Sequence, residues 1–133
     1  MDGGQVALSA DGESQFSTWM TDEGGKRRLF FAAVKPGEAP EGSGLVDVQG
    51  QQGHPVIAPL SDGRALIVFE ANDTIGAALL KADGTVEKKQ MFAQRGKFPR
   101  LIAIKDAVVV AWENGGEVQT CRIDMNWWAA KAD

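Results

Sequence analysis

One histidine and two glutamates are the side chains with the clearest potential for chemistry. His54 is the only histidine of the 133 residues, and it begins a short strand-like run. Glu70 and Glu113 each follow an aromatic residue at the end of another run. A histidine can exchange protons near neutral pH, and paired carboxylates can line a ligand pocket. No serine or cysteine nucleophile pattern surrounds His54, so a structural or solvent-exposed role is favoured for it. The matching positions of the two glutamates are more typical of shared architecture than of a site.

Arg100 is the best-placed arginine for recognising an anionic ligand, because it follows Phe98-Pro99 on a predicted inner strand. A guanidinium can bind a carboxylate through two parallel hydrogen bonds. The alternative is a solvated or ion-paired surface arginine, which is the more common case. One histidine and one cysteine, Cys121, give no metal-ligand pattern. The sequence therefore predicts candidate ligand contacts at His54, Arg100, Glu70 and Glu113, and no catalytic residue, metal or cofactor.

The segment from His54 to Gln90 contains four apolar or alternating runs separated by three turn signals. Those signals are Asp62-Gly63, Asn72-Asp73 and Asp83-Gly84. Glycine accepts a positive φ without a side-chain penalty, so Asp-Gly between such runs is a strong hairpin signal. The segment predicts a four-stranded antiparallel meander.

The flanking sequence repeats this pattern imperfectly. Trp112-Glu113 follows the Phe69-Glu70 pair by 43 residues, and Trp19-Met20 precedes it by 50. His54-Pro55 recurs as Phe98-Pro99, 44 residues later. Asp62-Gly63 matches Asp11-Gly12, 51 residues earlier. Three different features, the aromatic anchor, the X-Pro pair and the Asp-Gly turn, thus recur at similar intervals along the chain.

Periods of about 40 to 50 residues with four strands each are typical of β-propeller blades. We therefore predict an all-β chain with antiparallel, four-stranded, blade-like repeats at approximately 5–49, 54–92 and 97–128, within one domain over 1–133. The strand count is four, four and three, since the residues after Ile123 do not copy a fourth strand. A single β-sandwich with similar strands is the alternative.

Three blades do not make a closed propeller, which has roughly four to eight. Open blade faces would expose apolar surface and mark an interaction site. The chain is therefore expected to pair with itself, two copies closing a ring of six blades, or to belong to a longer propeller. Trp127 and Trp128 are candidate interface residues. Alternatively, they cap the core of their own chain.

The repeats resemble the sialidase-like, or Asp-box, β-propellers of bacteria. The resemblance rests on His54-Pro55, Phe98-Pro99, the Asp-Gly turns, Phe69-Glu70 and Trp112-Glu113. It implies glycoside hydrolysis with a carbohydrate or other small anionic ligand. Sialidases use a tyrosine nucleophile, and this chain has no tyrosine. Membership therefore implies a fragment of a hydrolase whose catalytic residues lie on further blades.

Composition and charge narrow the remaining functions. The net charge is −4 and the isoelectric point is near 5.0, which disfavours nucleic acid as the partner. No apolar run has the length of a membrane span. No signal peptide is recognisable at residues 1–5, so we expect either a cytoplasmic protein or a piece of a longer exported precursor. The leading hypothesis is a non-catalytic binding or scaffold module; the alternative is the hydrolase fragment.

Overall fold

The computed structural model describes residues 4–8, 12–35, 37–38, 43–44, 50–124 and 127–128. These residues form eleven β-strands in three antiparallel sheets. The first sheet contains β1 (Gly4–Leu8), β2 (Gln15–Glu23), β3 (Lys26–Val34) and β4 (Ser43–Gly44). The second contains β5 (Gln52–Pro59), β6 (Ala65–Ala71), β7 (Thr74–Leu80) and β8 (Val86–Ala93). The third contains β9 (Lys97–Ile104), β10 (Ala107–Asn114) and β11 (Glu117–Ile123).

The predicted all-β class and the strand count of four, four and three are confirmed. Each strand pairs with its neighbour in the chain, so every sheet is a meander. The run at 45–48, which the repeat pattern predicts as the fourth strand of the first repeat, lies outside the described residues; the fourth strand of the first sheet is β4, at Ser43–Gly44. No closed ring of sheets is formed by the described part of the chain. No helix there is long and apolar enough to cross a membrane.

Two-residue turns join the second and third strands of all three sheets. The turn residues are Gly24-Gly25, Asn72-Asp73 and Gly115-Gly116, and all six have positive φ. Two consecutive positive φ values match the twist of the flanking antiparallel strands. Glycine and asparagine adopt this conformation most readily, so the local sequence explains the hairpins.

The Asp-Gly turns of the second sheet close in a common way. The N–H of Gly63 donates to the carbonyl of Leu60 at 3.2 Å, and that of Gly84 donates to Lys81 at 2.9 Å. Both glycines have a φ close to +90°. In the second of these turns, Asp83 Oδ1 also accepts the backbone N–H of Thr85 at 2.9 Å. The predicted Asp-Gly turns are therefore present at both positions.

The second sheet is covered on both faces. On one face, Ile67 and Phe69 pack against Phe16 and Phe31 of the first sheet. On the other, apolar residues pack against the third sheet; they include Leu66, Val68, Leu79, Val108, Val110 and Trp112. Every residue of β6 is consequently buried. A strand that is buried on both faces has a continuous apolar sequence rather than an alternating one, and Ala65–Phe69 has this pattern.

The first and second sheets approach each other closely at Gly84. A Cβ on Gly84 would lie 2.9 Å from the backbone nitrogen of Ala33, whereas one on Gly63 would meet nothing within 4 Å. We expect Gly63→Ala to cost about 1–2 kcal/mol of unfolding free energy, because alanine disfavours the left-handed conformation. Gly84→Ala should cost about 1 kcal/mol more, because the added methyl group also overlaps the neighbouring sheet.

Urea denaturation of the two variants, side by side with the parent protein, measures this difference. Equal losses for the two alanines would contradict the close approach of the first and second sheets at this turn.

Candidate functional site

The first strands of the second and third sheets, β5 and β9, begin with matching backbone distortions; we call them the inner strands. His54 and Phe98 both precede a proline, and both have positive φ, 46° and 54°. The β5–β6 register shifts at His54, and the β9–β10 register shifts at Phe98. A positive φ is uncommon for residues other than glycine, and such strain concentrates where the surrounding structure fixes it. The X-Pro landmarks of the sequence are thus two corresponding β-bulges.

The carboxylate of Glu70 joins these two bulges. Its Oε2 accepts the backbone N–H of Phe98 at 3.0 Å and also contacts Nδ1 of His54. The imidazole packs edge-on against the Phe98 ring, with centroids 5.0 Å apart. The side chain of Glu70 is 11% exposed, while that of His54 is 46% exposed. We call this arrangement, made of His54, Glu70 and Phe98, the inner-strand brace.

The chemistry available at the brace follows from this geometry. A carboxylate at Nδ1 fixes the orientation of the imidazole and leaves Nε2 as the group that can meet a ligand or a proton. In the described part of the chain, His54 makes no hydrogen bond to a hydroxyl or thiol, and no group of three metal-ligating side chains is found. The brace therefore connects the second and third sheets, and the imidazole of His54 within it is partly exposed.

Two of the four predicted ligand contacts, His54 and Glu70, come together at the brace. The other two, Arg100 and Glu113, lie on the opposite face of the third sheet, which points away from the second sheet. Arg100 pairs across the ladder with Ala111, and Glu113 pairs with Val118. Both charged side chains are exposed. The sequence could not separate Glu70 from Glu113, because their local patterns are alike.

The predicted interface tryptophans lie against the core of their own chain. Trp128 is buried among residues of the second and third sheets, with Trp127 packed beside it. The two indoles contact each other edge-on with centroids 4.7 Å apart, and Trp127 contacts Phe92 in the same way. This position matches the alternative in which the pair caps the core.

A cleft of about 390 Å³ lies between the second and third sheets, and the sequence analysis did not predict it. Its floor includes Leu66, Val108 and Trp128. At its edge, Nε of Arg64 donates to Asp62 Oδ2 at 2.8 Å, and Nη1 donates to Glu87 Oε2 at 3.0 Å. The hydrogen bond from Arg64 lowers the pKa of Asp62, and Asp62 in turn raises the pKa of Arg64. The Asp-Gly-Arg sequence was the available signal, since the turn folds Arg64 back onto Asp62.

No protein-family model matches this chain, and none of the curated proteins matches it either. The resemblance to sialidase-like repeats therefore stays a prediction, and the function has to be argued from the structure.

The brace predicts a specific loss of stability. Replacing Glu70 with alanine leaves the Phe98 N–H and the His54 Nδ1 without their shared acceptor in a largely buried position. We expect a loss of about 1.5–3 kcal/mol, as for other hydrogen bonds to a charged group. Urea denaturation measures it, and Glu117→Ala is the matched control because Glu117 is exposed at the start of β11. Equal effects of the two substitutions would show that Glu70 does not hold the sheets together.

The Asp62–Arg64 pair predicts a pH dependence. The pKa of Asp62 is lower in the folded protein than its ordinary value of 3.8. The pair therefore contributes its full stability above that value and loses it as the pH falls toward the lowered pKa. We expect Asp62→Asn to cost under about 1 kcal/mol at pH 7, since the pair is partly exposed, and to cost progressively less as the pH falls through the lowered pKa.

Denaturation midpoints measured from pH 7 to pH 2 test this prediction. Asp106→Asn is the control, because it removes the same charge from an exposed side chain. A cost of Asp62→Asn that persists unchanged at pH 2 would assign the effect to turn geometry rather than to the ion pair.

Proposed function

We propose that this protein is a non-catalytic binding or scaffold module of the β-propeller type, which assembles with itself through the outer faces of its first and third sheets. In this arrangement the three sheets form half of a ring. A second copy supplies the other half.

The observation that carries the proposal is the exposure of apolar side chains on both outer faces. On the third sheet, Val118 is 75% exposed and Ile102 is 64% exposed, with Ile104 beside them. On the first sheet, Val6 is 62% exposed and Leu8 is 57% exposed. These two faces hold five of the seven large apolar residues that are exposed in the described part of the chain. Apolar surface that clusters on two faces marks interaction sites.

The way the sheets already stack supports the same proposal. Both internal joints are made by apolar packing of one sheet face on the next. The first and third sheets each use one face in these joints. Their opposite, outer faces also carry apolar side chains that a further sheet could cover.

The side-chain chemistry supports a non-catalytic role. His54 and Glu70 are engaged in joining two sheets. The chain contains no tyrosine with which to build a sialidase nucleophile. A sialidase-type nucleophile would therefore have to come from outside this sequence.

The solution mass tests the proposal. Size exclusion with light scattering should give about twice the chain mass of 14.2 kDa. Ile102→Lys should shift the mass to that of one chain, because it places a charge in an apolar contact. Gln94→Lys adds the same charge in the exposed connection between the second and third sheets, and it should leave the dimer intact. A single-chain mass for the parent protein at all concentrations would overturn the proposal.

A further inference from the structure

The joint between the second and third sheets shows how a polar group is accommodated in an apolar contact. Glu70 lies on the face of the second sheet that meets the third, and its carboxylate accepts the backbone N–H of Phe98 at 3.0 Å. Phe98 is the second residue of β9, the first strand of the third sheet. A carboxylate buried in an interface is tolerated when such donors satisfy it.

Glu113 occupies the corresponding place on the third sheet. Phe69 faces the first sheet and Trp112 faces the second. The glutamate after each aromatic residue points to the opposite face of its sheet, because successive side chains of a strand alternate between the two faces. Each glutamate also sits beside the bulge of its inner strand. Glu70 is buried, whereas Glu113 is exposed and makes no hydrogen bond or ion pair in the described part of the chain. The two positions differ in that a further sheet covers only the first of them.

On the side of the following strand, the ladder neighbour of Glu113 matches that of Glu70; on the other side Glu70 lies opposite Gly53 and Glu113 opposite Lys97. Ile75 lies opposite Glu70 in the ladder, and Val118 lies opposite Glu113. Ile75 is fully buried by the third sheet, while Val118 is the most exposed large apolar residue of the described chain. Around Glu113 the outer face of the third sheet thus resembles a joint whose covering sheet is missing, while Arg100 and Arg122 add two exposed charges to the same face.

The first sheet offers the matching surface. In the second and third sheets, one face packs against the sheet that precedes it in the chain. The outer face of the first sheet is the equivalent face, and no sheet precedes it among the described residues. Trp19 stacks on Phe30 on this face, and Val6 and Leu8 are exposed beside them. Gly4 lies opposite Trp19 in the ladder, as the Phe98 bulge lies opposite Trp112. A glycine at the start of the inner strand can adopt the positive φ of that bulge without cost.

We infer that a second copy of this chain docks the outer face of its first sheet on the outer face of the third sheet, and that Glu113 accepts a backbone N–H from the start of the partner copy's β1, in the way that Glu70 accepts that of Phe98. This inference rests on the proposed self-assembly and adds to it the pairing of unlike faces and the residue that completes the joint. Two such contacts, related by a two-fold axis, close a ring.

The experiment measures the dissociation constant of the dimer by sedimentation or dilution light scattering. Glu113→Ala should raise this constant about tenfold or more, because a hydrogen bond between a carboxylate and a main-chain N–H is lost from each joint. Glu117→Ala removes the same charge next to the same hairpin and should leave the constant unchanged. Circular dichroism and the denaturation midpoint of a single-chain sample should not change with Glu113→Ala, since that side chain makes no hydrogen bond or ion pair with the residues that the structure describes.

A second pair of variants tests the pairing of unlike faces. Leu8→Lys alters only the first sheet and Ile102→Lys only the third, and each alone should prevent the dimer. An equimolar mixture of the two should recover part of the dimer, because one joint then lacks both lysines.

The outcomes separate the two proposals. If the parent protein stays a single chain, self-assembly fails and this inference fails with it. If it dimerises but the equimolar mixture of Leu8→Lys and Ile102→Lys recovers no dimer, the contact joins like faces and only this inference is overturned. A dimer that depends on both lysine positions but tolerates Glu113→Ala would keep the pairing of faces and overturn the role of Glu113.

Discussion

The burial of the second sheet on both faces is the constraint on which the rest of the structure depends. Each β-sheet has two faces, and in the part of the chain that the structure describes only the middle sheet has both faces covered by other sheets. The stacking brings the inner strands together, which places Glu70 against the backbone of Phe98. Among the described residues, no other sheet covers the remaining face of the first sheet or of the third. The same packing that forms the core therefore defines the two candidate interfaces.

Much of the fold could be predicted because its signals are local. The two-residue hairpins need positive φ, and Gly24-Gly25 or Gly115-Gly116 supply it whatever surrounds them. The uninterrupted apolar run of β6 likewise reflects burial on both faces. The brace could not be predicted. A residue before proline is normally extended, and the left-handed conformation of His54 is found together with a contact to Glu70 sixteen residues away. Trp127 and Trp128 show the same limit, because the sequence alone does not reveal which apolar surface an aromatic residue meets.

Glu70 and Glu113 show why a candidate site could be predicted only in part. Both follow an aromatic residue at the end of a strand, and both have an apolar neighbour across the ladder. Their environments differ because one sheet has a successor in the chain and the other has none among the described residues. The role of such a carboxylate is set by the neighbouring sheet, so a repeat predicts the position of the group but not its partner.

The edge of the third sheet influences how copies can meet. In the described part of the chain, β11 is the last strand of its sheet, and a strand in that position presents unpaired main-chain groups to any extended segment. Most side chains along it are polar, including Glu117, Gln119, Thr120 and Arg122. Charged and polar side chains on an edge strand oppose the continuous hydrogen-bonded growth that leads to fibrils. The edge of the third sheet therefore opposes open-ended strand pairing, whereas the proposed stacking of faces would end when a ring closes.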